Sequence, residues 1–183
     1  MREIHGAKYQ WGTATPANGA SNNRFLTQAD DQSQNGTPSR GWSSTPLTAG
    51  WTSSGGPNNP CVGGFHVPTE AEWQAVINNN TMRRVGTWVN SVTNYGSGVY
   101  FSANGSERLF LPSVGSRRND PTGPLGSLDR RGAIGRYWTS SFTRDIADPE
   151  LFPVYLALTQ SGYLLASNLH AGTLGAAVGC ISN

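Results

Sequence analysis

The sequence predicts a loop-rich α+β fold, and three observations carry the prediction. Charged residues make up 13% of the 183-residue chain, about half the usual share, while 23 Gly and 11 Pro interrupt it throughout. A complete helix start stands at Thr69–Trp73, and the chain from Val99 to Ile181 breaks into short runs of strand length and strand pattern. The length suits one domain over residues 1–183.

Each element has a local reason. Residues 13–60 are dominated by Ser, Thr, Asn, Gly and Pro, with Trp42 and Trp51 among them, a composition for irregular structure pinned by aromatic side chains. Thr69 with Glu72 three residues on forms a capping box, and Glu70 and Glu72 suit the positive end of a helix. Trp73, Val76 and Ile77 then fall on one face, and the helix frays through Asn78–Asn80. His66 is expected to pack beside the box. Val99–Ala103 and Arg108–Leu111 flank Asn104-Gly105, the strongest short hairpin signal, and Pro112 ends the second strand. Ser113–Gly135 is polar and glycine-rich, with Pro121 and Pro124 excluding helix. Tyr137–Trp138, Phe152–Thr159, Tyr163–Ala166 and Ala176–Ile181 read as short strands, which makes the C-terminal half mostly antiparallel sheet. Within Phe152–Thr159, Val154, Leu156 and Leu158 alternate with Tyr155, Ala157 and Thr159, so one face is expected in the core and the other outward.

The charge pattern argues against several classes of partner. The net charge of +2 comes from arginines set in scattered pairs, Arg83-Arg84, Arg117-Arg118 and Arg130-Arg131. They read as ordinary solvated side chains, with no basic face or motif for a nucleic acid. No apolar run approaches the length of a membrane span, and Met1–Gly6 lacks the apolar run of a signal peptide. Cys61 and Cys180 are the two cysteines. They are expected either to close a long loop as a disulfide in an oxidising compartment or to lie buried as free thiols. Neither has a companion at metal spacing, and no metal or cofactor is expected.

Several motifs recur in a fixed order: Tyr9-Gln10-Trp11-Gly12, Asn59-Pro60-Cys61, Gly64-Phe65-His66-Val67-Pro68-Thr69-Glu70-Ala71-Glu72-Trp73, Leu109-Phe110-Leu111-Pro112, Arg131-Gly132, Tyr137-Trp138-Thr139-Ser140-Ser141 and a terminal Gly-x-x-Val-x-Cys ending at Cys180. This ordered set resembles the Fibrobacter succinogenes major paralogous domain, a family allied to the C-type-lectin-like variable proteins of diversity-generating retroelements. The resemblance covers most of the chain and implies a C-type-lectin-like fold, with short helices packed on small twisted antiparallel sheets. It also implies ligand binding through the C-terminal segment, about 132–175. Carried over by position, the frame falls on Trp73, Trp138, Ser140, Val178 and Cys180. The ligand-binding positions fall on Ile134, Arg136, Phe142, Arg144, Asp145, Ala147, Asp148, Tyr155, Ala157, Thr159, Tyr163, Leu165, Asn168, His170 and Leu174. The chain departs from the family near its end, where Gly172, Thr173, Ala176, Ala177 and Gly179 stand in place of larger residues.

A physical argument for display runs alongside. Tyr163, Leu164, Leu165, Leu169 and Leu174 cluster with Asn168 and His170, the mix of apolar area and orienting polar groups that a protein-binding patch needs. At least half of Leu164, Leu165 and Leu174 are expected to face the core, which leaves Phe142, Tyr155 and Tyr163 as the main outward aromatics. Enzymatic readings fare less well. His5, His66 and His170 lie in no nucleophile motif. Asp145, Asp148 and Glu150 have the spacing of no known cation loop and read as a solvated acidic loop. The motif Pro68–Trp73 is shared with formylglycine-generating enzymes, but Cys61 and Cys180 look like frame residues. The expected function is therefore non-enzymatic display towards a protein or cell-surface ligand, at a cell surface or on a phage particle. A subunit of a pilus, surface layer or phage tail stands second, and a formylglycine-generating oxidase third.

Overall fold

The computed structural model describes residues 6–13, 32, 50–52, 58–61, 63–118, 126–144, 151–167 and 173–183. Within them the chain is a mixed α+β structure of a helix and three small sheets. The largest sheet joins β1 (Lys8–Gln10), β6 (Ser116–Arg117), β7 (Leu128–Asp129), β8 (Ile134–Arg144), β9 (Leu151–Thr159), β10 (Tyr163–Ser167) and β11 (Gly175–Ala177). Its path is β10-β9-β8-β11-β6-β7, with β1 on β11, and β11 runs parallel to β8. A second sheet pairs β3 (Thr81–Val85), β4 (Gly98–Ala103) and β5 (Ser106–Pro112), and a ribbon joins β2 (Phe65–His66) to β12 (Ile181–Ser182). The β4–β5 turn is Asn104-Gly105, both at positive φ, as the two-residue primed turn of a right-twisted hairpin requires.

Helix α1 (Glu70–Asn78) starts where the capping box placed it. The Thr69 hydroxyl accepts from the Glu72 N–H at 3.2 Å, and the Glu72 carboxylate accepts from the Thr69 N–H at 2.7 Å. His66 Nε2 lies 3.1 Å from the same carboxylate, and its Nδ1 lies 2.6 Å from Asn183 Oδ1. The histidine thus links the helix start to the chain end. Partial burial alone would raise the Glu72 pKa, but the Thr69 N–H, the Thr69 hydroxyl and His66 together hold it below its ordinary 4.5.

The large sheet is covered on both faces, and β9 is buried along nearly its whole length. On one face Leu156 and Leu158 join Trp73 and Ile77 of α1, Tyr137, Val99, Phe101 and Leu111. On the other, Tyr155 and Ala157 join Trp11, Trp51, Trp138, Tyr9 and Ala176. The expected outward face of this strand is therefore a second core face. The run Leu151–Leu158 is uncharged throughout, the pattern of a strand buried on both sides rather than on one.

Between Trp138 and Phe142 strand β8 carries an irregularity: three residues, Thr139–Ser141, stand opposite the single Val154. The bulge meets the helix start, while the Thr139 hydroxyl turns to the Val154 carbonyl at 2.9 Å. Ser141 Oγ accepts the Glu70 N–H at 2.9 Å, and the Ser140 N–H donates to the Pro68 carbonyl at 2.8 Å. Pro153, which has no N–H for the ladder, sits opposite Phe142 just past this break.

Two expectations about charge and cysteine are settled by the packing. Arg117 and Arg131 are fully buried, not solvated. Arg117 donates to the Gly126 carbonyl at 2.8 Å, and Arg131 stacks its guanidinium 4.6 Å from the Tyr95 ring centre, so both cross-link loops from within. Cys61 and Cys180 form a disulfide, with Cα atoms 5.8 Å apart across 119 residues of sequence. Among the described residues no helix is long and apolar enough to cross a membrane.

The disulfide closes a loop long enough that its removal relaxes the unfolded chain substantially. C61S/C180S is expected to lose about 5 kcal/mol of unfolding free energy by the chain-entropy argument, read from denaturant titrations of both forms. A loss below about 1 kcal/mol contradicts this. Glu72 has a lowered pKa in the folded state, so its contribution is complete above its unfolded value and fades as pH falls through the folded one. Titrating stability from about pH 5 down to about pH 3 should therefore cost wild type more than E72Q, and equal slopes would remove this role for the carboxylate.

Candidate functional site

Phe142 is a large apolar side chain exposed on the large sheet, with 42% of its surface open. It is held from behind. Its ring meets Trp11 edge-on at 5.8 Å, and Trp11 meets Trp51 at 6.2 Å. Trp11 is completely buried, and its Nε1 donates to the Thr139 carbonyl at 2.9 Å, inside the β8 bulge. A Cβ at Gly50 would lie 1.9 Å from the Trp11 ring, so only glycine lets the chain pass this close. Trp51 donates from Nε1 to the Asn58 carbonyl at 2.8 Å and the Thr13 carbonyl at 3.1 Å. The Arg144 guanidinium lies 5.5 Å from the Phe142 ring centre. The result is an exposed aromatic shelf with a cation at its edge, built on fixed indoles.

Two further exposed side chains stand at the other end of the β8–β9–β10 hairpins, on opposite faces of β10. Tyr163 is 42% exposed and Leu164 55%. The turn before them is closed by the Thr159 N–H donating to the Gly162 carbonyl at 2.9 Å and by the Gly162 N–H donating to Thr159 Oγ1 at 3.1 Å. Arg84 of β3 pins the turn through a 2.8 Å bond from Nε to the Thr159 carbonyl. Ile134, paired with Thr159, is partly buried on the Leu164 side of the sheet, and Leu165 on the Tyr163 side. Pro153 lies opposite Phe142 and Leu158 opposite Tyr163, so the two ends are separated by five residues of β9, roughly 17 Å.

The expected ligand-binding residues therefore divide. Phe142, Arg144 and Tyr163 are exposed; Ile134, Thr159 and Leu165 are half-buried at the Tyr163 end. Tyr155 at 9%, Ala157 at 7% and Leu174 at 9% exposure are core residues, because the core built on Trp11, Trp51 and Trp138 covers the face that carries them. Arg136 is half-buried between Ser116, to whose Oγ it donates at 2.9 Å, and the Tyr155 ring, 5.8 Å from its guanidinium. Burial lowers its pKa from the usual arginine value. Asp145, Ala147, Asp148, Asn168 and His170 lie outside the described residues, as do Glu150 and Leu169. Trp11, which supports Phe142, was not foreseen as part of the site; 131 positions separate the two, and no local pattern announces the contact.

Two cavities flank the segment Gly179-Cys180. One of about 280 Å³ is lined by Ala7, Tyr9, Phe110, Leu111, Tyr137 and Val178 among others, without a charged side chain. The Tyr137 hydroxyl there donates to the Pro112 carbonyl at 2.6 Å, and complete burial pushes its pKa well up. The other, about 110 Å³, lies against Trp73, Val76, Leu109 and Ile181, with Glu72 in its wall. Among the described residues no group of three or more His, Cys, Asp or Glu is arranged to hold a metal ion.

Compared with protein-family models, with curated proteins and with solved structures, the chain matches none of them.

The division between shelf and core is measurable. F142A removes an exposed ring and one edge contact, and is expected to cost about 1 kcal/mol or less. Y155A empties a buried site and is expected to cost about 3–5 kcal/mol. Equal costs in chemical denaturation would contradict the assignment of the two rings to surface and core.

Proposed function

We propose that this chain is a ligand-binding display protein of the receptor or adhesin type, on a C-type-lectin-like scaffold, with its contact surface centred on Phe142 and Arg144. The observation that carries the reading is the exposed Phe142 ring fixed on the buried Trp11. An aromatic held rigid before binding loses little entropy on contact, and an adjacent arginine adds orientation; Phe and Arg are both enriched at protein interfaces. The outer atoms of Phe142 and Arg144 contribute little to the cores, so these positions can change without unfolding the frame.

The reading extends to a variable protein of a diversity-generating retroelement, or a close non-diversified relative. Support for that extension is the resemblance of the ordered motifs, together with the mutual contacts of Pro68–Trp73 and Tyr137–Ser141. The ligand is a protein or other cell-surface component, and a cell surface or phage particle is the setting, in keeping with the disulfide. The reading is non-enzymatic and needs no cofactor. Its support is that Cys61 and Cys180 are joined to each other and that His66 is engaged by Glu72 and Asn183. A pilus, surface-layer or phage-tail subunit is the second reading, favoured by the open edge of β10.

Purified wild type should capture a component of a bacterial surface extract, and F142A/R144A should lose capture by about tenfold or more with its fold intact by circular dichroism. Undiminished capture by the variant contradicts the shelf as the contact surface. For the retroelement extension, the flanking DNA should hold a reverse transcriptase gene and an imperfect repeat, with AAY codons or their descendants at Phe142 and neighbouring exposed positions. A locus without them removes that extension alone.

A further inference from the structure

Strand β10 ends the large sheet, and its outer edge is open among the described residues. The Thr159 N–H to Gly162 carbonyl bond sets the phase of the β9–β10 ladder. Leu164 and Ala166 direct their main-chain groups to β9, whereas Tyr163, Leu165 and Ser167 direct theirs outward. No hydrogen bond joins those outward groups to any described residue.

Monomeric proteins protect such an edge with lysine, proline or a bulge. Here none is present: Gln160–Ser167 contains no charge and no proline, and the β9–β10 register runs without a shift. The edge is also complementary to itself. A two-fold axis through Leu165 pairs Leu165 with its copy, Tyr163 with Ser167 and Leu164 with Ala166. Each large exposed side chain then meets a small one, and outward groups meet outward groups in about six main-chain hydrogen bonds.

We propose that two copies of this chain associate through antiparallel pairing of their β10 strands about a two-fold axis at Leu165, joining two large sheets into one. The partner is a second copy because this sequence, running antiparallel to itself, supplies the large-against-small matching. The inference is independent of the ligand reading, which rests on the Phe142 end; dimerisation without capture and capture without dimerisation separate the two.

Sedimentation equilibrium over a concentration series tests it. Wild type should move from the 19.5 kDa of one chain towards twice that mass. Y163K/S167K places like charges opposite each other across the axis and should remain at one chain mass. Y163E/S167K places opposite charges there and should restore association. Tyr163 and Ser167 are exposed, so all three should fold alike, as near-ultraviolet circular dichroism checks. A wild type that stays at one chain mass throughout, a Y163K/S167K that associates as well as wild type, or growth beyond two copies would overturn the proposal.

Discussion

Trp138 is the point on which the rest of the structure depends. Its indole is fully buried and donates from Nε1 to the Tyr9 carbonyl at 2.6 Å, which ties the first strand to β8 across 129 residues. Its own carbonyl accepts from Trp73 Nε1 at 3.3 Å, which seats the helix on the opposite face of the sheet. Its ring meets Tyr155 edge-on at 6.1 Å, which closes the core of Trp11 and Trp51 over β9. One residue therefore bridges both cores, and the β8 bulge begins immediately after it.

The bulge sets how the chain continues beyond that bridge. Three residues opposite one place the Thr139 carbonyl against Trp11 and the Ser141 hydroxyl against the helix start. Past the bulge β8 resumes on the same face, so Phe142 emerges over Trp11 and opens to solvent while Trp138 stays inside. The disulfide and the His66 contacts then close the chain end onto the loop before the helix, and the frame is held at both ends.

Local chemistry was legible in the sequence wherever a few adjacent residues determine it. Thr69 and Glu72 announce the helix start and Asn104-Gly105 the hairpin turn, whereas the outward placing of Phe142 and Tyr163 came from the resemblance. The strand Thr81–Val85 carried no such signal, since Met82, Arg83 and Arg84 break the alternation, and its partner β4 decides its state. The outward assignment of Tyr155 and Ala157 failed for a different reason. Alternation of residue size says which side chains share a face, but whether a face is covered depends on Trp11 and Tyr9, far away in sequence. Arg117 and Arg131 were misread as solvated because their carbonyl and aromatic partners are set by tertiary structure alone.

Strand β9 is core on both faces, which leaves the exposed large side chains at the ends of the hairpins beside it. Native-state hydrogen exchange at low protein concentration tests this most directly, residue by residue. The Leu156 and Leu158 amides, bonded between β8 and β9 and closed in by both cores, should exchange only through global unfolding, while the outward amides of Tyr163, Leu165 and Ser167 exchange orders of magnitude faster. Rapid local exchange along β9, comparable to that of the β10 edge, would contradict it.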